Sequence, residues 1–304
     1  PAVVFPHGPM GVSAGEPVWD LTQGRFGPFA GQVFVSDFGS LILRVNLEKI
    51  SGAWQGSVFS LISRNSIAPQ VTGEAIAQGS MRLAFAPDGS LYVAQTAGWG
   101  AGTNGLQRIS WDGKASTEVK TVRLTARGFT FEFTEPMEQS RLQKPAHFQI
   151  QRFRFYYQAK YGSPWVDQSA VPVREVIVSA DGRKAEVIVE KLEPGFVYEF
   201  SLGELRSAKG EEIANPIGYY TANRLVTGEI AVAGTTRLPQ PGEDALGAKE
   251  AEAALSPEAL VASGQKIYAL FCSACHQPDG RGLPGGAANF VDDLHGWPNR
   301  MKPC

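Results

Sequence analysis

The sequence has little cysteine and little charge, and it lacks long apolar runs. Only three of its 304 residues are cysteine, and all of them, Cys272, Cys275 and Cys304, lie near the C-terminal end. A fold held together by disulfides would distribute its cysteines along the chain, so that class is excluded. No apolar run approaches the ~18 residues that a membrane-spanning helix needs. The formal net charge of −2 excludes recognition of nucleic acid or of an anionic membrane by bulk electrostatics.

Turn-forming residues are abundant instead. The chain has 34 glycines and 20 prolines, with 10% aromatic and 19% charged residues, a combination that favours a turn-rich, mainly β protein. Several short apolar runs flank turn sequences such as Asp88-Gly89 and Asp181-Gly182. Asp-Gly between two apolar runs predicts a β-hairpin, because glycine adopts the positive φ that the turn requires.

Residues 1–117 contain a faint repeat of strand pairs. The run 33–35 leading to 41–45 is similar to the run 91–93 leading to 106–109. Strand–turn–strand units of this kind predict blades of a β-propeller, which needs roughly 4–8 blades to close. Since these residues supply only about two blades, we expect them to be the C-terminal blades of a larger propeller.

Residues 118–228 have a different pattern, which predicts an immunoglobulin- or fibronectin-like β-sandwich. Three rings alternate strictly along one predicted strand: Phe129, Phe131 and Phe133. Alternation of this kind places the rings on one face of a sheet. Tyr198 follows Pro194-Gly195 and resembles the tyrosine corner of Greek-key sandwiches. The aromatic run 153–157 breaks the alternation and is either a bulge or a packing patch.

Residues 229–255 predict a linker, since they combine glycine and proline with a weak alanine- and glutamate-rich run. Residues 256–304 then predict a small all-α segment. Ser256 is a candidate N-cap, and Pro257 occupies the first helical position. One apolar stripe with a period of 3.6 residues follows, formed by Leu260, Val261, Gly264, Ile267, Tyr268 and Phe271.

The sequence Cys-Ser-Ala-Cys-His at residues 272–276 is the strongest chemical motif in the chain. C-x-x-C-H is the attachment motif of c-type haem. Residues i and i+3 share a face of a helical turn, so Cys272 and Cys275 can meet the two vinyl groups on one porphyrin edge. His276 then directs its imidazole to the iron. The motif therefore predicts covalent haem c at Cys272, Cys275 and His276, with His276 as the metal ligand.

Other interpretations of the motif stay open. A thioredoxin-type redox pair would need a βαβ context, and no strand precedes the motif. A structural zinc site would need four ligands, which Cys272, Cys275, His276 and Cys304 supply by count. Buried, inert thiols are the third alternative. Away from the motif, His7 is either a functional residue of a propeller funnel or a loop histidine, and His147 is expected to be structural.

The C-terminal part resembles the opening of class I cytochromes c. The resemblance lies in the helix before the motif, in the motif itself and in the glycine-rich run 280–285. Residues 287–290 are similar to a family segment whose backbone carbonyl holds the proximal histidine, although Ala288 replaces the usual proline. The family takes its sixth iron ligand from a methionine, and the resemblance makes Met301 a candidate. His295 is a second candidate. For both residues, an exposed loop residue is the simpler interpretation.

As a whole, the chain is similar to bacterial haem-binding CxxCH proteins with a glucose/sorbosone dehydrogenase-like propeller. Pyrroloquinoline quinone and calcium are implied for a propeller part outside this chain, and no residue here matches their ligands. The resemblance leaves open whether the chain is part of a quinone-dependent sugar or alcohol dehydrogenase-like oxidoreductase. An extracytoplasmic or periplasmic location follows from it.

Two functions remain. The first is electron transfer by haem c, with electrons relayed from a dehydrogenase-like propeller in the same polypeptide to a redox partner protein. The alternative is an extracytoplasmic propeller–sandwich protein that binds carbohydrate or protein and carries an accessory or sensory haem.

Overall fold

The computed structural model divides the chain into two compact units, Pro1–Gly234 and Thr235–Cys304. The structure describes residues 1–39, 41–62, 76–97, 104–158 and 163–226 of the chain, together with 261, 262, 265, 269, 277–279 and 281. Within these residues, no helix is long and apolar enough to cross a bilayer.

Nearly all of the regular secondary structure in the described part of the first unit is β-strand. The strands are β1 (Ala14–Trp19), β2 (Val33–Asp37), β3 (Leu41–Ile50), β4 (Ala53–Ile62), β5 (Ser80–Phe85), β6 (Leu91–Gln95), β7 (Gly105–Ile109), β8 (Val119–Leu124), β9 (Gly128–Phe133), β10 (Gln149–Phe155), β11 (Trp165–Ala170), β12 (Val173–Val178), β13 (Lys184–Val189), β14 (Phe196–Ser201) and β15 (Ile217–Ala222). Two helical turns separate β9 from β10, namely α1 (Gln139–Leu142) and a 3₁₀ turn at Pro145–His147.

These strands form three antiparallel sheets. The largest has the order β1-β2-β3-β4-β15-β14-β10-β11, the second β12-β13-β9-β8 and the third β5-β6-β7. The four-stranded sheet packs against the large sheet through one apolar cluster that includes Phe59, Phe131 and Phe200. A separate cluster with Phe34 of β2, Ile42 of β3 and Leu91 of β6 joins the three-stranded sheet to β2 and β3. The mainly β class is confirmed.

Local predictions from turn chemistry are confirmed. β5 and β6 pair across the turn at Asp88-Gly89, where the Asp88 carboxylate accepts the Ser90 N–H at 2.9 Å. β12 and β13 pair across Asp181-Gly182. Gly89 has a φ of 89° and Gly182 a φ of 67°, a left-handed conformation that glycine adopts without a steric cost.

The alternating rings of β9 are buried on one face, as predicted. Phe129, Phe131 and Phe133 are each at most 1% exposed. Phe129 and Phe131 both contact the Phe200 ring of β14 edge to face, with ring centroids 5.0 Å apart. This geometry is favourable for aromatic pairs and ties the four-stranded sheet to the large one.

The register between β10 and β11 shifts between Arg152 and Arg154. The irregularity lies opposite the aromatic run and not within it, because the two steps from Arg152 to Arg154 on β10 face three steps from Ser169 to Val166 on β11. Phe153 stacks on Trp165 with ring centroids 4.0 Å apart, while Tyr156 and Tyr157 are 62% and 74% exposed.

The large sheet joins segments that are far apart in sequence. β4 pairs with β15 through Gly56↔Thr221 and Gly218↔Phe59. A Cβ atom on Gly218 would lie 2.2 Å from the Phe59 ring, so only glycine admits this close approach. The segments 1–117 and 118–228 therefore share a sheet, and their assignment to propeller blades and to a sandwich stays a prediction.

Tyr198 makes backbone contacts of the kind made in a tyrosine corner, and they carry a first testable prediction. The buried Tyr198 hydroxyl accepts the Glu193 N–H at 2.7 Å and donates to the Glu193 carbonyl at 3.0 Å. Tyr198→Phe removes the partner of both backbone groups and is expected to lower the free energy of unfolding by about 1–3 kcal/mol. Urea unfolding followed by circular dichroism measures this. Tyr157→Phe, at a 74% exposed position, is the control, and an equal loss in both variants contradicts the prediction.

Candidate haem-attachment segment

The residues before the haem motif are helical where the structure describes them. Val261, Ala262 and Gln265 are α-helical, and Ala269 lies in a π-helical turn. This agrees with the helix predicted from the apolar stripe. Val261, a member of that stripe, is 60% exposed. The predicted N-cap Ser256 and its neighbour Pro257 lie outside the described residues.

The residue after the motif, Gln277, has a left-handed backbone conformation. Gln277 has a φ of 61°, in the left-handed region, which does not continue a right-handed helix. The carboxylate of Asp279 then accepts the N–H of Arg281 at 3.1 Å. A side chain that binds a backbone N–H two residues further on stabilises a tight turn. Gln277 is therefore followed by a turn at Asp279.

The predicted attachment residues Cys272, Cys275 and His276 lie outside the described residues, and so do Cys304, His295 and Met301. The roles of Cys272, Cys275 and His276 stay predictions, and the support for them is the chemistry of their side chains. Two thiols at i and i+3 followed by an imidazole match the groups that haem c requires, namely two thioether donors and one nitrogen ligand for iron. The left-handed residue after the imidazole is compatible with that assignment.

The β unit shows what the other singled-out residues do. The Nδ1 atom of His147 lies 3.1 Å from the Arg141 carbonyl oxygen, which supports the predicted structural role. His7 is exposed. Within the described ranges, no group of three His, Cys, Asp or Glu side chains could hold a metal, so they offer no support for calcium.

A buried polar cluster lies where β8, the edge of the four-stranded sheet, faces the large sheet. We call it the polar seam, and it consists of Gln32, Arg44, Glu48, Glu118 and Asn215. Gln32 and Arg44 both donate to the Lys120 carbonyl, at 2.7 and 3.2 Å, and the Glu48 carboxylate accepts the Leu124 N–H at 2.8 Å. The seam therefore satisfies backbone groups along the outer edge of β8, which would otherwise be unpaired.

An ion pair lies at the centre of the polar seam. Arg44 and Glu118 are buried, with 3.8 Å between Nη2 and Oε2. Asn215 donates to Glu118 Oε1 at 2.6 Å, and the Arg44 guanidinium lies over the Phe29 ring at 3.9 Å. Sequence reasoning missed this cluster. One feature of the sequence could have indicated it, namely an arginine inside the apolar run 41–45 of β3. A buried arginine is costly unless polar groups pair with its charge.

Burial governs the electrostatics of the polar seam. It lowers the pKa of Arg44 to about 10, against the opposing effect of the Glu118 charge. Burial also raises the pKa of Glu118 to about 7, which the Arg44 charge and the Asn215 hydrogen bond only partly offset. The pKa of Glu48 is raised by burial too, in spite of its hydrogen bonds from Tyr220 and the Leu124 N–H. The two acids therefore hold protons more tightly than exposed glutamates do.

Comparison with protein families identifies the C-terminal segment. The model of the family described as Cytochrome c matches residues 261–302, a range that contains Cys272, Cys275 and His276. The described helical residues and the turn after the motif lie in the same range. The C-terminal part of this mainly β chain is therefore a cytochrome c domain.

The other comparisons add little. One solved structure, the crystal structure of the S-layer protein rSbsC(31-844), aligns at 21% sequence identity with a TM-score of 0.29. The alignment covers 38% of this chain and only 14% of that one, and a TM-score of this size does not establish a shared fold. The search of curated proteins gave no match.

Proposed function

We propose that the protein is an electron-transfer protein whose haem c is held by Cys272, Cys275 and His276. The observation that carries the proposal is the cytochrome c family match at residues 261–302, which surrounds a complete C-x-x-C-H motif. A cytochrome c domain supports haem binding and electron transfer. When bound, such a haem supplies an iron centre that changes its oxidation state by one electron.

The roles of the three side chains follow from their chemistry. The thiols of Cys272 and Cys275 hold the macrocycle as thioethers, so the haem is retained without depending on iron ligation. The imidazole of His276 binds the iron, and its position next to Cys275 limits the freedom that it loses on binding.

The finer proposal concerns the source of the electrons and the location. A dehydrogenase-like propeller in the same polypeptide donates electrons, and a redox partner protein accepts them outside the cytoplasm. Residues 229–255 connect the cytochrome c domain to the β-rich unit. The support is the order of the parts along the chain and the mainly β described residues of the first unit.

The proposal is tested by expressing the full chain together with a cytochrome c maturation system. We expect a pyridine haemochrome spectrum of the c type, a mass increase of one haem after denaturation, and reversible reduction and oxidation in a potentiometric titration. Haem that is extracted by acidified organic solvent would contradict covalent attachment. A chain with two unmodified thiols and no haem would favour the alternative, a carbohydrate- or protein-binding β protein.

The proposed linker makes a separate prediction. Its glycine and proline residues favour an extended and accessible backbone, so limited proteolysis of the holoprotein should cut first within residues 229–255. We expect one large haem-free fragment and one small fragment that carries all of the haem, identified by mass spectrometry and haem staining. First cuts within the β-hairpins instead would argue against a linker at this position.

A further inference from the structure

We propose that Glu118 is a proton-binding residue that controls how firmly β8 is held in the polar seam, and that the seam is tighter when this carboxyl carries a proton. The proposal concerns the β unit and does not depend on haem binding. It rests on the burial of Glu118 and on its Oε2 atom, which is buried without a hydrogen-bond partner among the described residues.

The Glu118 carboxylate has few donors. Asn215 donates to Oε1, whereas Oε2 has no hydrogen-bond partner. The nearest Arg44 nitrogen is 3.8 Å from Oε2, beyond the ~3.2 Å limit of an ordinary N–H···O hydrogen bond. A buried carboxylate with one unpartnered oxygen lacks part of the stabilisation that water would provide. A proton on the carboxyl removes the charge and with it most of this cost.

The Arg44 guanidinium has contacts besides Glu118, all of its hydrogen bonds coming from Nη1, while Nε and Nη2 have no hydrogen-bond partner in the part of the chain that the structure describes. It donates to the Lys120 carbonyl and to Gln32 Oε1, at 3.2 and 3.3 Å. The Phe29 ring lies 3.9 Å from its central carbon, in the range of a cation–π contact. Arg44 can therefore stay charged and keep its hydrogen bond to the Lys120 carbonyl of β8 when Glu118 is neutral.

The other charged groups nearby are already engaged elsewhere. On β8 itself, Lys120 forms an ion pair with Glu132 of β9 at 3.4 Å. Glu211 accepts the Thr117 hydroxyl at 2.8 Å, and Asn215, from the same connection before β15, is uncharged. On the side of the large sheet, the charged residue facing Glu118 is Arg44 of β3. Glu48, further along β3, is paired with Arg123 at 3.8 Å.

Burial of Glu118 gives the direction of the effect. Its pKa is raised from 4.5 to about 7 in the closed seam, while a hydrated carboxyl in an open seam keeps the lower value. The closed state thus binds the proton more tightly, so the stabilisation is complete below about pH 4.5 and is lost as the pH rises through about 7. Opening of the seam moves the proton from the Glu118 carboxyl to solvent.

Amide hydrogen exchange of the full chain tests the proposal. After correction for the intrinsic exchange rate, the opening constant of the β8 amides should rise about twentyfold between about pH 5.5 and about pH 7.5. The amides of β13, in the same sheet but away from the seam, should change little. Glu118→Gln keeps an acceptor for Asn215 and cannot ionise, so its β8 amides should show no such rise. Glu211→Gln makes the same charge change nearby and should behave like the wild type.

Three results would overturn the proposal. One is a wild-type β8 opening constant that stays constant or falls over this range, and another is a rise in Glu118→Gln equal to that of the wild type. Should Glu118→Gln fail to fold, ¹³C NMR of wild-type chain labelled in its glutamate carboxyls replaces it. A titration in which every glutamate has its midpoint below about pH 6 is then the third result that overturns it.

Discussion

Replacement of both Cys272 and Cys275 by alanine is expected to abolish covalent haem attachment completely. The thioether bonds form at these two sulfur atoms if the C-x-x-C-H motif works as proposed, and His276 alone would hold a haem only by reversible ligation. The denatured double variant should therefore show no haem mass increase and no c-type pyridine haemochrome band. Each single variant should retain one thioether at most, which shifts the haemochrome band towards that of a haem with one unreacted vinyl group.

Cys304→Ala is the matched control for these variants. It removes the third and last thiol of the chain but lies outside the motif, so haem content should equal that of the wild type. Loss of haem in Cys304→Ala would contradict the proposed attachment and favour a site in which this thiol is a ligand. Covalent haem that persists in the double variant would rule out the motif as the attachment site.

Arg44→Met is expected to lower the free energy of unfolding of the β unit by about 1–3 kcal/mol near neutral pH, and by about 3–5 kcal/mol where the pH keeps Glu118 ionised. The variant removes the charge that faces the buried Glu118 and one of the two side-chain donors to the Lys120 carbonyl. Methionine keeps much of the side-chain volume, so the loss reports on polar interactions more than on packing. Since Glu118 can escape its unpaired charge by taking up a proton, the loss should grow with rising pH. Urea unfolding followed by circular dichroism measures it.

Two further variants make this prediction specific. Arg174→Met removes an arginine from an ion pair in which both side chains are at least half exposed, and it should cost less than about 1 kcal/mol. Arg44→Met combined with Glu118→Gln removes both charges and should be less damaging than Arg44→Met alone. If the two single arginine variants lose equal stability, the polar seam does not have the structural role assigned to it.

Sequence reasoning succeeded where the determining interactions are short in range. The hairpin at Asp88-Gly89 forms because glycine at the turn has the required positive φ and the flanking runs are apolar. The Phe129–Phe133 face was predictable from alternation alone, and the Pro-Gly sequence before Tyr198 indicated a tyrosine corner. In each case, the residues that determine the local structure lie within a few positions of one another in the sequence.

The pairing of β4 with β15 could not be read from local patterns. Gly56 and Thr221 become neighbours only when the large sheet assembles, and no periodicity within either strand indicates which partner it takes. The polar seam was missed for the same reason. Arg44 contacts the Lys120 carbonyl across 76 positions of sequence, so its role depends on a packing arrangement that composition and spacing do not encode.

By itself, the amino-acid sequence determined the mainly β class, the hairpins and the location of the haem motif. These features depend on residue type and on spacings of a few positions, where backbone sterics and covalent chemistry act directly. Only the tertiary structure decided that distant segments share one large sheet. It also decided that Arg44 of this sheet meets Glu118 where β8 faces the sheet. The physical reason is that strand partners and buried charges are selected by the total apolar area buried and by the hydrogen bonds completed, and both are properties of the assembled layers.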